Sequence, residues 1–585
     1  MSSNQPLFAS ERRDSSTHSE ERAAQEDTAL LGGQRPDESP PRRSAKFWRE
    51  VGLFTWAVLA TAAVLVLAVV LHNQAAHHGG KKAKPSGKRN LIFMVSDGMG
   101  PASLSLSRSF RQYQSVLPRD DILVLDQHFI GSSRTRSTSS LVTDSAAGAT
   151  AFSCGLKSYN GAISVLPDYT PCGTVLEAAK KAGYKTGLVV TTSVTDATPA
   201  SFAAHANYRQ EEDLIAQQEV GEHPLGRVVD LILGGGRCHF LPNTTSGSCR
   251  GDDRDITKLA QEKYGWNYID SKQDFDSLEG AVKLPLLGLF ADYNFPFELD
   301  RRNMDDKYPS LDEMAQTALR ALEAATQDSD KGFFLMIEGS RIDHAGHGND
   351  PAAQVNEVLA YDKAFASVVK FLERSNTQGV LVATSDHETG GLSVARHWEL
   401  VPSGELSPSY PGYHWYPEVL ANASSSAEHS ARRLRSHISN GGDKLKDFVS
   451  EELVQEGLGI MDATDAEIKN ALDNPEVSHY IFADMISRRA RIGWSTHGHS
   501  AVDVNIYGSS GSDPLRGNHE NTEVGNFLAD YLGLDIDAIT DELVKKSSDF
   551  SINSMGGAPW TGQIPTEEML QSMEMTHGMV HEMEP

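Results

Sequence analysis

Positive charge is scarce in this chain of 585 residues: 53 Lys and Arg stand against 79 Asp and Glu, a formal net charge of −26. A surface so acidic repels a polyphosphate backbone, which excludes nucleic acid as a partner. It also repels phosphate esters at long range, so any phosphate site needs positive charge supplied locally. Cysteine is rare too, with Cys154, Cys172, Cys238 and Cys249 the only four. They permit two local disulfides, three pairings stay open, and none is needed for the chemistry below. A nucleotide-binding glycine loop is missing. Asp230-Leu-Ile-Leu-Gly-Gly-Gly236 lacks the lysine of a P-loop and the spacing of a dinucleotide fingerprint, so it reads as a close turn.

What is present divides the chain. Hydrophobic residues make up 39%, enough for a globular core. Residues 1–50 are rich in Ser, Glu, Arg and Pro and read as a disordered tail. Val51 to Leu71 is uncharged and rich in Ala, Val and Leu. At helical rise it spans the roughly 30 Å hydrocarbon core of a bilayer, so it reads as a transmembrane anchor rather than a cleaved signal peptide. Residues 72–89 form a stalk. Basic residues flank the anchor on both sides (Arg42, Arg43, Lys46 and Arg49; Lys81, Lys82, Lys84, Lys88 and Arg89), so the positive-inside rule does not orient it. The sequons at Asn243 and Asn422, and an acidic dileucine-type signal ending in Leu30-Leu31, favour a cytosolic tail and a lumenal body. The leucine pair would then engage a cytosolic sorting adaptor.

From residue 90 onward, apolar strands alternate with helical patterns, which predicts an α/β fold: a mainly parallel central sheet covered by helices on both faces. Amphipathic helices are expected over 311–326 and 356–372. The rhythm breaks over 395–490, read as a cap insertion, and resumes to about 535. Residues 536–585 are acidic, Met-rich and otherwise uninformative.

Several strands end in polar groups, where open α/β sheets bind ligands. Phe333-Phe-Leu-Met-Ile337 leads into Glu338, Asp343, His344 and His347 within one expected loop. Val-Ser-Asp97-Gly-Met-Gly100 and Ser-Asp386-His387-Glu-Thr-Gly-Gly391 repeat the pattern. Carboxylate with imidazole suits zinc, and carboxylate alone suits magnesium. The plain alternatives are a solvated polar loop and ordinary Asp-Gly turns. Thr-Asp144-Ser145-Ala-Ala-Gly opens a run of small residues. A serine there lies beside free backbone N–H groups that favour a phosphate, though it could equally be a helix cap. Thr195-Asp196-Ala-Thr198-Pro199 reads as a helix entry. The next helix is expected to carry His205 and Arg209, and Arg209 is a candidate phosphate clamp because its fork matches two phosphate oxygens.

These motifs, with Trp-Ser-Thr-His497-Gly-His499, occur in one order and resemble the alkaline phosphatases over about residues 90–535. The anchor and dileucine tail look like the family's fungal vacuolar, type II membrane form. The resemblance implies hydrolysis of phosphate monoesters through a phosphoserine on Ser145, with Arg209 gripping the phosphoryl oxygens and Asp144 orienting it. It implies one zinc at Asp343, His347 and His497, and a second at Asp97, Asp386 and His387. Magnesium is implied at Asp97, Thr198 and Glu338. A homodimer, broad specificity and a vacuolar membrane location follow by the same resemblance. Asp196 and His344 stand at the family's two variable positions and leave the third metal's identity open. His205 and His499 match no role and are expected to be packing residues. The competing readings are a phosphodiesterase or nucleotide pyrophosphatase, a sulfatase, and an inactive membrane glycoprotein. Ser145 in place of a threonine, Glu338 and Arg209 favour the monoesterase.

Overall fold

A ten-stranded sheet carries the body of the protein in the computed structural model. The structure describes residues 49, 52–61, 87–114, 116, 120–278, 282–396, 399–400, 406–407, 413–547, 550 and 559–570. The Leu30-Leu31 signal and most of the tail and stalk lie outside these residues. Of the expected anchor, residues 52–61 are helical, and no described helix is long and apolar enough to cross a membrane.

In chain order the strands are β1 (Arg89–Val95), β2 (Phe129–Arg134), β3 (Lys185–Ser193), β4 (Leu231–Gly235), β5 (Asn267–Ile269), β6 (Leu286–Leu289), β7 (Phe333–Glu338), β8 (Gln378–Thr384), β9 (Val504–Gly508) and β10 (Gly517–Glu520). Their spatial order is β10-β2-β9-β8-β1-β7-β3-β4-β6-β5. β9 pairs antiparallel with both β8 and β2, and every other pairing is parallel. Strands buried on both faces need apolar residues at every position. β1 meets this by alternation: Leu91, Phe93 and Val95 join one core cluster, while Ile92 and Met94 join the other. β7 is buried from end to end.

Eight helices matter for the site. They are α1 (Ser145–Cys154), α2 (Ala197–Ala203), α3 (Leu311–Ala325), α4 (Arg341–His347), α5 (Pro351–Arg374), α6 (Ala427–Ser439), α7 (Ser478–Ala490) and α8 (Ile536–Ser547). α3 follows the predicted span, and its capping box joins Ser310 to Glu313. α5 starts five residues before the predicted Asn356, because Asp350 caps it and Pro351 takes its first position.

Three local expectations change. The stretch after β7 is not a loop: α4 places Asp343 and His347 one turn apart on one helix face. His205 and Arg209 are not helical. α2 ends at Ala203, and Ala206 pairs in an isolated bridge with Ile163, which holds the following chain extended. Residues 536–585 are not only a tail: α8 and Trp560 pack into the core, with Trp560 3% exposed.

The cap is a helical layer with its own apolar cluster, including Leu434, Leu453, Phe482 and Ile486, packed against Leu106, Phe110 and Val355 of the body. The disulfides are the local pairs Cys154–Cys172 and Cys238–Cys249.

Candidate metal centre

β1, β7 and β8 lie side by side in the sheet, so their carboxyl ends deliver Asp97, Glu338 and Asp386 to one place. Gly98 follows Asp97 with φ +75°, and a Cβ there would sit 2.5 Å from Asp343 Cα. Only glycine allows that approach of the two ligand-bearing segments.

α1 supplies the nucleophile candidate. Asp144, not Ser145, is its N-cap, accepting from Ala147 N at 2.9 Å. Ser145 therefore takes the first helical position and is free of capping duty. Its Oγ lies 3.0 Å from His387 Nε2. The same nitrogen is 3.0 Å from Asp386 Oδ2 and 3.6 Å from Asp97 Oδ1.

Arg209 faces this group from the loop after α2. It is 5% exposed, donates to Asp196 Oδ1 at 2.8 Å and to Asp144 Oδ2 at 3.4 Å, and so is held by two carboxylates. Burial alone would lower its pKa, but Asp196 and Asp144 outweigh burial and raise it, so the cation persists.

The imidazole that completes the third cluster is His499, not His497. His347 Nε2 lies 3.2 Å from Asp343 Oδ2, and His499 Nε2 lies 3.2 Å from His347 Nε2 and 3.5 Å from Asp343 Oδ1. The two-residue strand His499–Ser500 pairs antiparallel with Glu388–Thr389, just past His387. That pairing stacks the His499 ring on His387 with centroids 3.5 Å apart. His497 is exposed, its ring against Tyr480 of the cap at 4.3 Å. Its contribution to the cluster is indirect: its carbonyl accepts from His347 Nδ1, which leaves His347 Nε2 facing inward. Nothing in the sequence separates the two histidines except the strand register. His205, by contrast, packs as expected, between Ser164 O at 2.8 Å and Glu177 at 3.0 Å.

Four carboxylates, Asp97, Glu338, Asp343 and Asp386, are buried here together. Burial first, then Asp386, Asp343 and Glu338, push Asp97 well above the usual carboxylate range. Burial pushes Glu338 up to about 8, with Asp196 and Asp386 adding to it. Burial works the same way on Asp343, but His347, His499 and His387 outweigh it and hold that carboxyl well below its ordinary value. Such a concentration of like charge is costly unless cations neutralise it.

The donor set fits cations. Asp97 Oδ1, Thr198 Oγ1, Glu338 Oε1 and Asp386 Oδ2 are buried and make no hydrogen bond of good geometry. The first three belong to the all-oxygen trio expected to hold magnesium. Asp343, His347 and His499 form one close ligand group, and Asp97, Asp343 and His387 a second that shares Asp343. The variable pair stands apart: Asp196 is taken up by Arg209, and His344 Nδ1 faces Arg341 at 2.9 Å.

Known proteins resemble this chain along most of its length. The alkaline phosphatase family model matches residues 88–534. The chain is 51% identical to the repressible alkaline phosphatase of Saccharomyces cerevisiae over 90% of this chain and 95% of that one. It is 47% identical to an alkaline phosphatase of Schizosaccharomyces pombe, covering 89% and 94%. Among solved structures, the Thermus thermophilus alkaline phosphatase superposes with a TM-score of 0.64 at 28% identity, over 80% of this chain and 98% of that one. A cold-active alkaline phosphatase from Shewanella gives 0.62 at 30% identity, over 76% and 99%. The chain belongs to the alkaline phosphatase family, whose activity is the hydrolysis of phosphate monoesters.

Proposed function

We propose that this protein hydrolyses phosphate monoesters through a phosphoserine on Ser145, in the lumen of the vacuole. One observation carries the reading: a buried serine hydroxyl sits 3.0 Å from an imidazole in a pocket of converging carboxylates, with Arg209 held opposite by two acids. Zinc would be held by Asp343, His347 and His499, and a second zinc by Asp97, Asp386 and His387. Magnesium would be held by Asp97, Thr198 and Glu338. When bound, the ions neutralise the buried carboxylates and supply Lewis acidity toward the phosphoryl oxygens.

The chain's own groups do the rest. Arg209 pairs its fork with two non-bridging oxygens, and Asp144 and Asp196 fix its plane so that no ordering is paid on binding. Ser145 Oγ forms the bond to phosphorus as the bond to the alcohol oxygen breaks. The alcohol leaves carrying a proton. Water then attacks from the vacated face, giving inorganic phosphate and restoring the serine. Residues 51–71 would anchor the protein as a single-pass type II membrane protein, with Leu30-Leu31 read by a cytosolic adaptor. The sequon residues Asn243 and Asn422 are both exposed, as glycan acceptors must be. A homodimer is the assembly proposed.

The test uses the full chain in detergent with zinc and magnesium. It should cleave p-nitrophenyl phosphate far faster than the bis-ester or a sulfate ester. Ser145→Ala should lose about 10³-fold or more in kcat, and acid quenching should trap phosphate on Ser145 of the parent. Undiminished activity in Ser145→Ala would overturn the mechanism, and preference for the bis-ester would favour the phosphodiesterase reading.

A further inference from the structure

α4 carries Asp343 and His347, two of the expected zinc ligands, yet little inside it fixes its position. It has seven residues, and its N-cap Ser340 makes no capping hydrogen bond. The Ser340 hydroxyl donates to Glu338 Oε2 at 2.6 Å instead. A helix of two turns is marginal on its own, so its placement comes from outside contacts.

Those contacts converge on one turn of the cap. At the start of α4, Arg341 is 1% exposed, and its guanidinium lies over the Phe297 ring at 4.0 Å from the centroid. Phe297 in turn clusters with Ala345 of α4 and Ala353 of α5. The Arg341 fork divides: Nη2 donates to Glu428 Oε2 of α6 at 2.7 Å, and Nη1 donates to His344 Nδ1 at 2.9 Å. Beyond the end of α4, the Asn349 carbonyl accepts from Ser487 Oγ of α7 at 3.1 Å. Asp350 Oδ2 then accepts from Ala427 N of α6 at 2.8 Å. Two consecutive residues of α6, Ala427 and Glu428, therefore hold the chain at both ends of the helix that bears Asp343 and His347.

Arg341 makes the charged tie. A guanidinium only donates, stays charged when buried, and is costly to leave without its carboxylate. The other two ion sites do not depend on this helix. Asp97, Asp386 and His387 of the second zinc group lie outside α4, as do Asp97, Thr198 and Glu338 of the magnesium trio.

We propose that Arg341 is a positioning residue for the zinc at Asp343, His347 and His499, and that it acts through Glu428 of the cap. The inference rests on the zinc assignment and adds to it a pair of residues, outside the ligand set, that sets the affinity of one zinc. The experiment titrates the zinc-loaded full chain with a chelator and follows the release of both zincs. Arg341→Met and Glu428→Gln should each weaken one zinc about ten- to a hundredfold, the scale of losing a group that orients metal ligands. The other zinc should keep its parent affinity. That retained zinc counts the folded chains, so partial misfolding cannot mimic the result. The double variant should be no weaker than the weaker single, since both changes remove one tie. Arg489→Leu breaks ion pairs to Asp462 and Glu467 within the cap and should leave both zincs at parent affinity. Parent affinity for both zincs in either single variant, equal weakening of the two zincs, additive loss in the double variant, or the same weakening in Arg489→Leu overturns the proposal. A parent chain that holds no zinc would instead overturn the assignment on which it rests.

Discussion

His497 and His499 are chemically equivalent and two residues apart, yet only His499 reaches the ligand cluster. The sequence motifs single out Asp97, Ser145, Arg209, Glu338, Asp343, His347, Asp386 and His387 as candidates, and the family resemblance adds Asp144 and Thr198 to them. The motif resemblance points to His497, whereas the imidazole that reaches the cluster is set by the pairing of His499–Ser500 with Glu388–Thr389, a contact more than a hundred residues distant in sequence. Arg209 is the clearest single-residue test. Its guanidinium is held by Asp196 and Asp144, so Arg209→Ala removes a preorganised donor pair. We expect kcat/KM for p-nitrophenyl phosphate to fall by about 10²–10³-fold, the scale of losing one oriented donor at developing charge. Asp144→Asn keeps an oxygen for the Ala147 cap but loosens Arg209. It should raise KM for phosphate esters with a smaller loss in kcat, read from steady-state kinetics.

Among the elements, the docking of cap helix α6 onto the body was invisible in the sequence, because it depends on acids distant in the chain. Asp300 accepts from Ser426 N at 2.9 Å, and Asp350 accepts from Ala427 N at 2.8 Å, so two body carboxylates hold the first turn of α6. Burial raises Asp300 from its ordinary 3.8 to about 6, with Glu428 adding to it. A carboxyl raised in the folded state contributes stability that is complete below about 3.8 and is lost as pH rises through about 6. A separation of about two pH units corresponds to about 3 kcal/mol. Asp300→Asn keeps an acceptor for Ser426 but cannot ionise. Relative to the parent, its melting temperature should therefore rise by several degrees between pH 4 and pH 7, as thermal scans across that range would record. Metal loss at the acid end affects both proteins alike. An unchanged difference would show that Asp300 does not titrate in this window. The main strands and α3, by contrast, were legible, since their apolar periodicity reflects burial that any parallel sheet demands. α4 was not, because a seven-residue helix with two glycine neighbours carries no periodic signal.

On the scale of the whole molecule, the alternation of strands and helices predicted the sheet and its two covered faces, while the antiparallel β9 and the packed segment around Trp560 were not foreseen. The sheet also brings Asp97, Glu338 and Asp386 together at the carboxyl ends of its central strands, with Asp343 of α4 beside them, and bound cations would offset the cost of burying these four carboxylates. Chelation should therefore lower the melting temperature of the full chain as well as abolish turnover, and zinc with magnesium should restore both. The central claim is that distant acids and imidazoles meet at those strand ends to seat cations beside Ser145. Its most direct test is elemental analysis of the purified full chain, alongside His499→Ala and His497→Ala. The account predicts about two zinc and one magnesium per parent chain, loss of about one zinc equivalent in His499→Ala, and near-parent zinc in His497→Ala. Full zinc in His499→Ala with loss in His497→Ala, or an active parent carrying no divalent metal, would contradict it.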